Sequence, residues 1–245
     1  ADVDTEGRVV LSWKDVSRFE SGFRVERKVL NQLSSKWEEV GSAKVNETVF
    51  VDEKKLNEGT YAYRVRAYNE MAFSDYSNEA TVVVLQSPSD LRARVSGRVV
   101  RLTWSDNSNL EEGLKVERND GVSAWVEVGR VKYNTAEFSD VVPDSERGYS
   151  YRVAAFNGNF TSPYSKEDSV FVMSAPSDVS VQLASPVGIR IGWKDNSKFE
   201  SGYVVERKVQ DGPWVEACRT AANENEYVDA KVSQEVLYVY RVAAF

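Results

Sequence analysis

The chain repeats one sequence pattern three times, and this repetition constrains the fold more than any other feature. In each copy a run of alternating apolar residues ends in a tryptophan, and a second tryptophan follows farther along. The first tryptophans are Trp13, Trp104 and Trp193, and the second are Trp37, Trp125 and Trp214. The copies are roughly 88 residues long, which is the size of one small domain. We therefore predict three domains of the same architecture.

The composition excludes several classes of protein. The chain has 245 residues, a net charge of -7 and no histidine. Without histidine, the usual Ser-His-Asp and Cys-His catalytic arrangements and the common zinc ligand sets cannot form. Lysine and arginine are scattered among acidic residues, so nucleic acid is not an expected partner. No apolar run approaches the roughly 20 residues of a spanning helix, so we expect no membrane insertion in this segment.

The second copy consists of short strand patterns separated by turns. Apolar and polar residues alternate in short runs, and turn-forming clusters such as 106–109 and 119–121 separate the runs. The predicted strands are 91–95, 99–104, 113–118, 125–131, 136–139, 149–156 and 170–173. Seven strands without helical periodicity predict an all-β fold, a seven-stranded immunoglobulin-like β-sandwich in each copy.

Two longer motifs recur in every copy. Trp-x-Asp-x-Ser-x-x-Glu-x-Gly-x-x-Val-Glu-Arg begins at Trp13, Trp104 and Trp193, and Tyr-x-Tyr-Arg-Val-x-Ala begins at Tyr61, Tyr149 and Tyr238. The chain thereby resembles tandem fibronectin type III domains of the type found in bacterial secreted and cell-surface proteins. The resemblance implies that the three tryptophans are core residues. It also implies that the three tyrosines are tyrosine corners, whose hydroxyl bonds to the loop before its strand.

Proline-bearing segments mark the boundaries between copies. Segments 87–90 and 175–178 both end in Pro-Ser-Asp and lead directly from one strand into the next. We predict fibronectin type III domains at 1–86, 87–174 and 175–245, joined by short, stiff connections. Compared with the second copy, the first has a truncated first strand and the third lacks its last strand. We expect a longer protein whose neighbouring domains are the partners, or a strand supplied by another chain.

Acidic residues are the candidates for catalysis or metal binding. The adjacent glutamates at 38–39 and 111–112 point to opposite faces of a strand, so neither pair converges on one substrate. The loops that begin at Asp15, Asp106 and Asp195 offer oxygen ligands for Ca²⁺, but turn bonds from side chain to backbone explain them more simply. We expect no catalytic residue, no metal and no cofactor.

Loops that differ between copies are the candidates for partner contacts, because the shared residues are occupied with the fold. The loop after the sixth strand carries Phe73 in the first copy and Phe160 in the second, and both are candidate contacts with a protein or polysaccharide ligand. The second tryptophan of each copy could stack on a sugar if exposed. Its matching position in all three copies favours packing at the sheet edge.

These features favour a structural role. We predict a non-catalytic spacer or adhesion segment of a larger secreted or cell-surface protein, and the extracellular location follows from the family resemblance only. The alternatives are a binding array that contacts polysaccharide or a protein partner, and an accessory region of a glycoside hydrolase.

Overall fold

The structure is a computed structural model, and it describes residues 1–30, 32, 34–184 and 188–245. The regular secondary structure of these residues consists of β-strands. The strands are β1 Asp2–Val3, β2 Val9–Ser12, β3 Gly22–Val29, β4 Glu38–Lys44, β5 Val49–Asp52, β6 Gly59–Tyr68, β7 Ala80–Val84, β8 Ser89–Ser96, β9 Val99–Ser105, β10 Gly113–Asn119, β11 Val126–Lys132, β12 Glu137–Val141, β13 Arg147–Asn157, β14 Phe160–Thr161, β15 Asp168–Val172, β16 Ser177–Leu183, β17 Ile189–Lys194, β18 Gly202–Val209, β19 Val215–Ala221, β20 Glu226–Asp229 and β21 Tyr238–Ala244. The prediction of an all-β fold is confirmed.

Each strand predicted in the second copy overlaps an observed strand, because the alternation of apolar residues marks strands locally. One observed strand, β14, was not predicted. It forms a hairpin with the end of β13, in which Phe156 lies opposite Thr161 and Asn157 opposite Phe160. Gly158 adopts a φ of 55° in the turn. The two loop residues, Gly158 and Asn159, form a known hairpin signal that would have predicted this turn.

The first copy forms two sheets that pack face to face. One has the strand order β1-β2-β5 and the other the order β4-β3-β6-β7. Strand β2 buries alternate residues, Val9 and Leu11, as a strand with one face on a core must. These side chains pack with residues from the second sheet, among them Val25, Tyr63 and Val82. The arrangement is a β-sandwich.

The third copy also forms two sheets, and its described strands make fewer pairings than those of the first copy. Its described strands form the sheets β16-β17-β20 and β19-β18-β21. Ile191, Trp193, Tyr203, Val205 and Tyr240 make up its buried core. The strands of the second copy pair in the orders β12-β9-β8 and β11-β10-β13-β14, with β15 also paired to β13.

The described residues group into two compact units. The first comprises Ala1–Ala93, Leu102–Phe138 and Ser150–Asp168, and the second comprises Arg94–Arg101, Ser139–Tyr149 and Ser169–Phe245. Each unit therefore contains residues from more than one sequence copy. The three domain boundaries given above stay a prediction.

Candidate functional site

The three tyrosines of the second motif bond to the loop before their strand. Tyr61 Oη donates to the Asn57 carbonyl at 2.9 Å, and Tyr149 Oη donates to the Asp144 carbonyl at 3.1 Å. Tyr238 Oη instead accepts a hydrogen bond from the Ser233 N–H at 2.9 Å. Each hydroxyl thus holds the turn that leads into its strand, and each turn also carries a glutamate three residues before the tyrosine.

The tryptophans of the first motif lie in or against the core. Trp104 and Trp193 are buried, and Trp13 is partly buried and packs against the core of the first copy. The ring centres of Trp13 and Phe23 lie 5.4 Å apart, and so do the ring centres of Trp193 and Tyr203. These contacts are those of packing residues.

The acidic loops of the first motif are held by turn bonds. The Oδ1 atoms of the three aspartates each accept the N–H of the serine two residues later, at 2.9, 3.2 and 2.9 Å. The acceptors are Asp15, Asp106 and Asp195. No group of three or more Asp, Glu, His or Cys side chains arranged for a metal ion occurs in the described part of the chain. The loops therefore have the geometry of turns.

The recurring glutamate of the same motif fixes a second turn. Glu111 Oε1 accepts the Asn134 N–H at 3.4 Å, and Glu200 Oε1 accepts the Asn223 N–H at 3.1 Å. Both asparagines adopt left-handed backbone, with φ of 57° and 62°. Asparagine tolerates this conformation better than most residues. The glutamate thus anchors the turn between the fourth and fifth strands of its copy.

A contact between the first and second copies forms around Glu58, and all of its residues belong to the first compact unit. The Glu58 carboxylate accepts the Ser108 hydroxyl and, at 3.1 Å, the Asn109 N–H. Asn107 Nδ2 also donates to the Ser87 carbonyl at 2.8 Å, which ties the same loop to the proline-bearing segment. We call this set of contacts the first joint.

An equivalent contact forms around Glu146 in the second compact unit. Its carboxylate accepts the Ser174 N–H at 2.6 Å and the Lys198 N–H at 2.9 Å. Burial alone would raise the pKa of Glu146, but these two N–H groups and the hydroxyls of Ser174 and Ser197 outweigh it and lower the pKa. Asn196 Nδ2 donates to the Ala175 carbonyl at 3.0 Å. We call this set the second joint.

The two joints use equivalent residues, and their connecting segments share one backbone feature. Glu58 and Glu146 each precede the tyrosine of their copy by three residues, and their partners lie four and five residues after the next copy's tryptophan. Asp90 and Asp178, at the end of each proline-bearing segment, have φ of 54° and 53°. Left-handed backbone at a residue other than glycine is uncommon, so its repetition indicates that the two connections adopt the same turn.

The structure places the two predicted contact residues differently. The Phe160 ring packs against the core of the first copy, within the first compact unit. Pro163 of the same loop lies close to Gly7 of the first copy. Phe73 is 55% exposed, and the guanidinium of Arg66 lies 4.1 Å from the centre of its ring. Phe73 is therefore the more exposed of the two, with one face of its ring covered by Arg66.

The second tryptophan of each copy is covered by an arginine. The guanidinium carbons of Arg64, Arg152 and Arg241 lie 4.1, 4.2 and 4.3 Å from the ring centres of Trp37, Trp125 and Trp214. Arg64 and Arg152 also lie over Tyr76 and Tyr164 on their other side. The stacked guanidinium covers one face of each tryptophan ring, so that face is closed to a sugar.

Glu58 and Glu146 are the functional candidates that sequence reasoning missed. Their recurrence at one position before the tyrosine was visible in the sequence, as was that of Glu235. The hydrogen-bond partners of both glutamates lie far along the sequence, however. The bonds of Glu58 to Ser108 and of Glu146 to Lys198 span 50 and 52 positions.

No protein-family model matches the chain. The chain is similar to the chicken CNTN1 FN1–FN3 domains, with 19% identity and a TM-score of 0.38, over 98% of this chain and 89% of that one. It is also similar to a two-domain fibronectin type III segment of chicken tenascin, with 13% identity and a TM-score of 0.37, over 68% and 93%. None of the described residues forms a helix that is long and apolar enough to cross a membrane. By its own sheet topology, the chain has the fibronectin type III fold.

Proposed function

We propose that the chain is a non-catalytic spacer of a larger secreted or cell-surface protein, in which adjacent copies are held in one relative orientation. The observation that carries the proposal is the repeated joint. Glu58 and Glu146 make the same type of contact with the following copy, and the connecting segments share their backbone conformation. A chain that served only as a flexible tether between copies would need neither the glutamate contact nor a shared backbone conformation in its connecting segments.

The joints suit this role physically. A carboxylate that accepts N–H and hydroxyl donors forms charge-assisted hydrogen bonds, which are roughly twice as strong as neutral ones. The connecting segments contain proline, which fixes φ and limits the conformations that the chain can take between sheets. Together, a short connection and a directional contact restrict both the distance and the rotation between copies.

Double electron–electron resonance across the second joint tests the proposal. Spin labels would be placed at Val141→Cys and Ala222→Cys, two exposed positions in adjacent copies within the second compact unit, with Cys218→Ser removing the native thiol. We expect one narrow distance distribution. Insertion of Gly-Ser-Gly-Ser after Ser174 is the flexible control and should broaden it. A native distribution as broad as that of the insertion variant would rule out a fixed spacer.

A binding role is the second candidate, and the exposure of Phe73 favours it. In this case the chain recognises a polysaccharide or a protein through the loop after its sixth strand. Binding on a glycan array or in a pull-down assay should be lost in Phe73→Ala and kept in Tyr133→Ala, which removes another exposed aromatic ring. Binding that is unchanged in Phe73→Ala, or absent from the native chain, argues against this candidate.

A further inference from the structure

A cavity of about 400 Å³ lies in the first copy, between the loop that joins β3 to β4 and the loop that follows β5. Its volume falls within the range of sites that bind small molecules. Most of the side chains that line it are polar or charged, and all of them belong to the first copy. The cavity is therefore a feature of one copy and does not depend on how neighbouring copies are arranged.

The cavity is built from residues that the other copies lack. The stretch from Arg27 to Trp37 spans ten positions, whereas the corresponding stretches of the second and third copies span seven. Lys36 and Lys55 line the cavity. Their positions are held by Ala124 and Pro143 in the second copy and by Pro213 and Val232 in the third. A loop that differs between copies of one fold is where a separate function can be placed.

The walls of the cavity are fixed by hydrogen bonds. On one side, the Ser35 hydroxyl accepts the Val29 N–H at 3.0 Å. On the other side, the Asn57 carbonyl accepts the Tyr61 hydroxyl at 2.9 Å. A site whose walls are already held in place loses less entropy when a ligand binds.

The cavity carries positive charge that the described residues do not neutralise. Three of its lysines make no ion pair in the described part of the chain, namely Lys36, Lys54 and Lys55. The two glutamates of the lining already have partners, because Glu38 lies 3.4 Å from Arg27 and the Glu58 carboxylate is bonded in the first joint. The three ammonium groups are thus available to an anion, although the chain as a whole has a net charge of -7.

Neutral polar groups lie beside these charges. The side-chain amides of Gln32 and Asn57 line the cavity and make no hydrogen bond within the described residues. Each amide offers two N–H donors and one carbonyl acceptor, which suit the hydroxyls of a sugar. A peptide ligand would need apolar contacts, and the described lining has two aliphatic side chains, Val29 and Leu56.

We propose that this cavity binds a saccharide unit that carries a carboxylate. The ammonium groups of Lys54 and Lys55 bind the carboxylate, and the amides of Gln32 and Asn57 bind the ring hydroxyls. The cavity adds a binding site to the spacer of the proposed function, and its lining does not include Phe73.

A titration with two matched disaccharides tests the proposal. Digalacturonic acid and galactobiose have the same ring arrangement, and the second lacks the carboxylates. They would be added separately to ¹⁵N-labelled chain. We expect digalacturonic acid to shift the backbone amides of Lys54 and Lys55 and the side-chain amide of Asn57, with half-saturation at roughly mM concentration. Galactobiose should need about tenfold more, because exposed ion pairs contribute only modestly.

Two variants separate this site from general attraction to positive charge. Lys54→Gln/Lys55→Gln should weaken the binding of digalacturonic acid about tenfold. Lys44→Gln/Lys132→Gln removes two exposed lysines at the ends of β4 and β11, outside the cavity, and should bind like the native chain. All four side chains are exposed, so each variant should stay folded.

Three results would overturn the proposal. The first is the absence of shifts at Lys54, Lys55 and Asn57 over the whole titration. The second is equal affinity for galactobiose, or equal affinity of the two double variants, because either would remove the carboxylate contact. The third is the same set of shifts with sodium acetate at the same concentration, which would leave the sugar ring no part in recognition.

Discussion

Asp52 is the residue on which the first copy's buried polar network depends. Its carboxylate accepts the Tyr63 hydroxyl at 2.8 Å and pairs with Arg27, and both charged side chains are buried. Asp229 makes the corresponding contacts in the third copy, with Tyr240 at 2.9 Å and Arg207 at 2.6 Å. Burial and the hydrogen bond to the carboxylate both raise the pKa of Tyr63 and of Tyr240. The network therefore keeps both phenols protonated.

Replacing Asp52 should be strongly destabilising. Asp52→Ala removes the buried partner of the Arg27 charge and leaves only the exposed Glu38 carboxylate at 3.4 Å, and we expect the free energy of unfolding to fall by about 3–5 kcal/mol. Urea denaturation of the variant and of Asp75→Ala, an exposed aspartate, would measure the difference. Asp75→Ala should change the free energy by less than about 0.5 kcal/mol. Equal effects of the two substitutions would contradict the role given to the buried network.

The tyrosine hydroxyls should make a smaller contribution. Tyr149→Phe keeps the buried ring and removes the bonds to the Asp144 carbonyl and N–H, so we expect a loss of about 0.5–1.5 kcal/mol. Tyr133→Phe, at an exposed ring, should have no measurable effect. Denaturant titration of both variants tests the tyrosine-corner role, which an unchanged midpoint in Tyr149→Phe would contradict.

At the scale of the element, the turn between β11 and β12 depends on backbone conformation. Asn134 has a φ of 57° and donates its N–H to Glu111. Asn134→Gly should be close to neutral, because glycine adopts left-handed backbone without steric cost. Asn134→Ala should lower the free energy of unfolding by about 1–2 kcal/mol. Thermal or urea unfolding of the two Asn134 variants measures this difference in the free energy of unfolding. An alanine variant as stable as the glycine variant would show that the turn does not require left-handed backbone at this position.

The elements were predictable from sequence to a greater extent than the contacts between copies. Each strand carries its own signal, as β2 does with Val9 and Leu11 on one face. The turns carry theirs in residues such as Asp106, whose carboxylate bonds its neighbour. Nothing local to Phe160 indicates that its ring packs against the first copy, and nothing local to Glu58 identifies its acceptor role. Those contacts depend on which loops the folded chain brings together.

At the scale of the whole molecule, the second joint should respond to acid. Because the pKa of Glu146 is lowered, its contribution is fully present above the ordinary glutamate range near pH 4.5. It is lost as the pH falls through the lowered value, where the protonated carboxyl no longer accepts both N–H groups. We expect the distribution of the Val141–Ala222 spin-label distance to broaden as the pH falls through this range. The Glu146→Gln variant should show no such pH dependence, and native behaviour independent of pH would contradict the assignment.

Residual dipolar couplings of backbone amides test the central claim, that adjacent copies are held in one orientation by Glu58 and Glu146. If the joints are fixed, the three copies of the native chain report alignment tensors of equal magnitude and orientation. In Glu58→Gln/Glu146→Gln the tensors of the copies should diverge while each copy remains folded. Native tensors that already differ in magnitude between copies would show that the copies reorient independently, and would contradict the account of this chain as a fixed spacer.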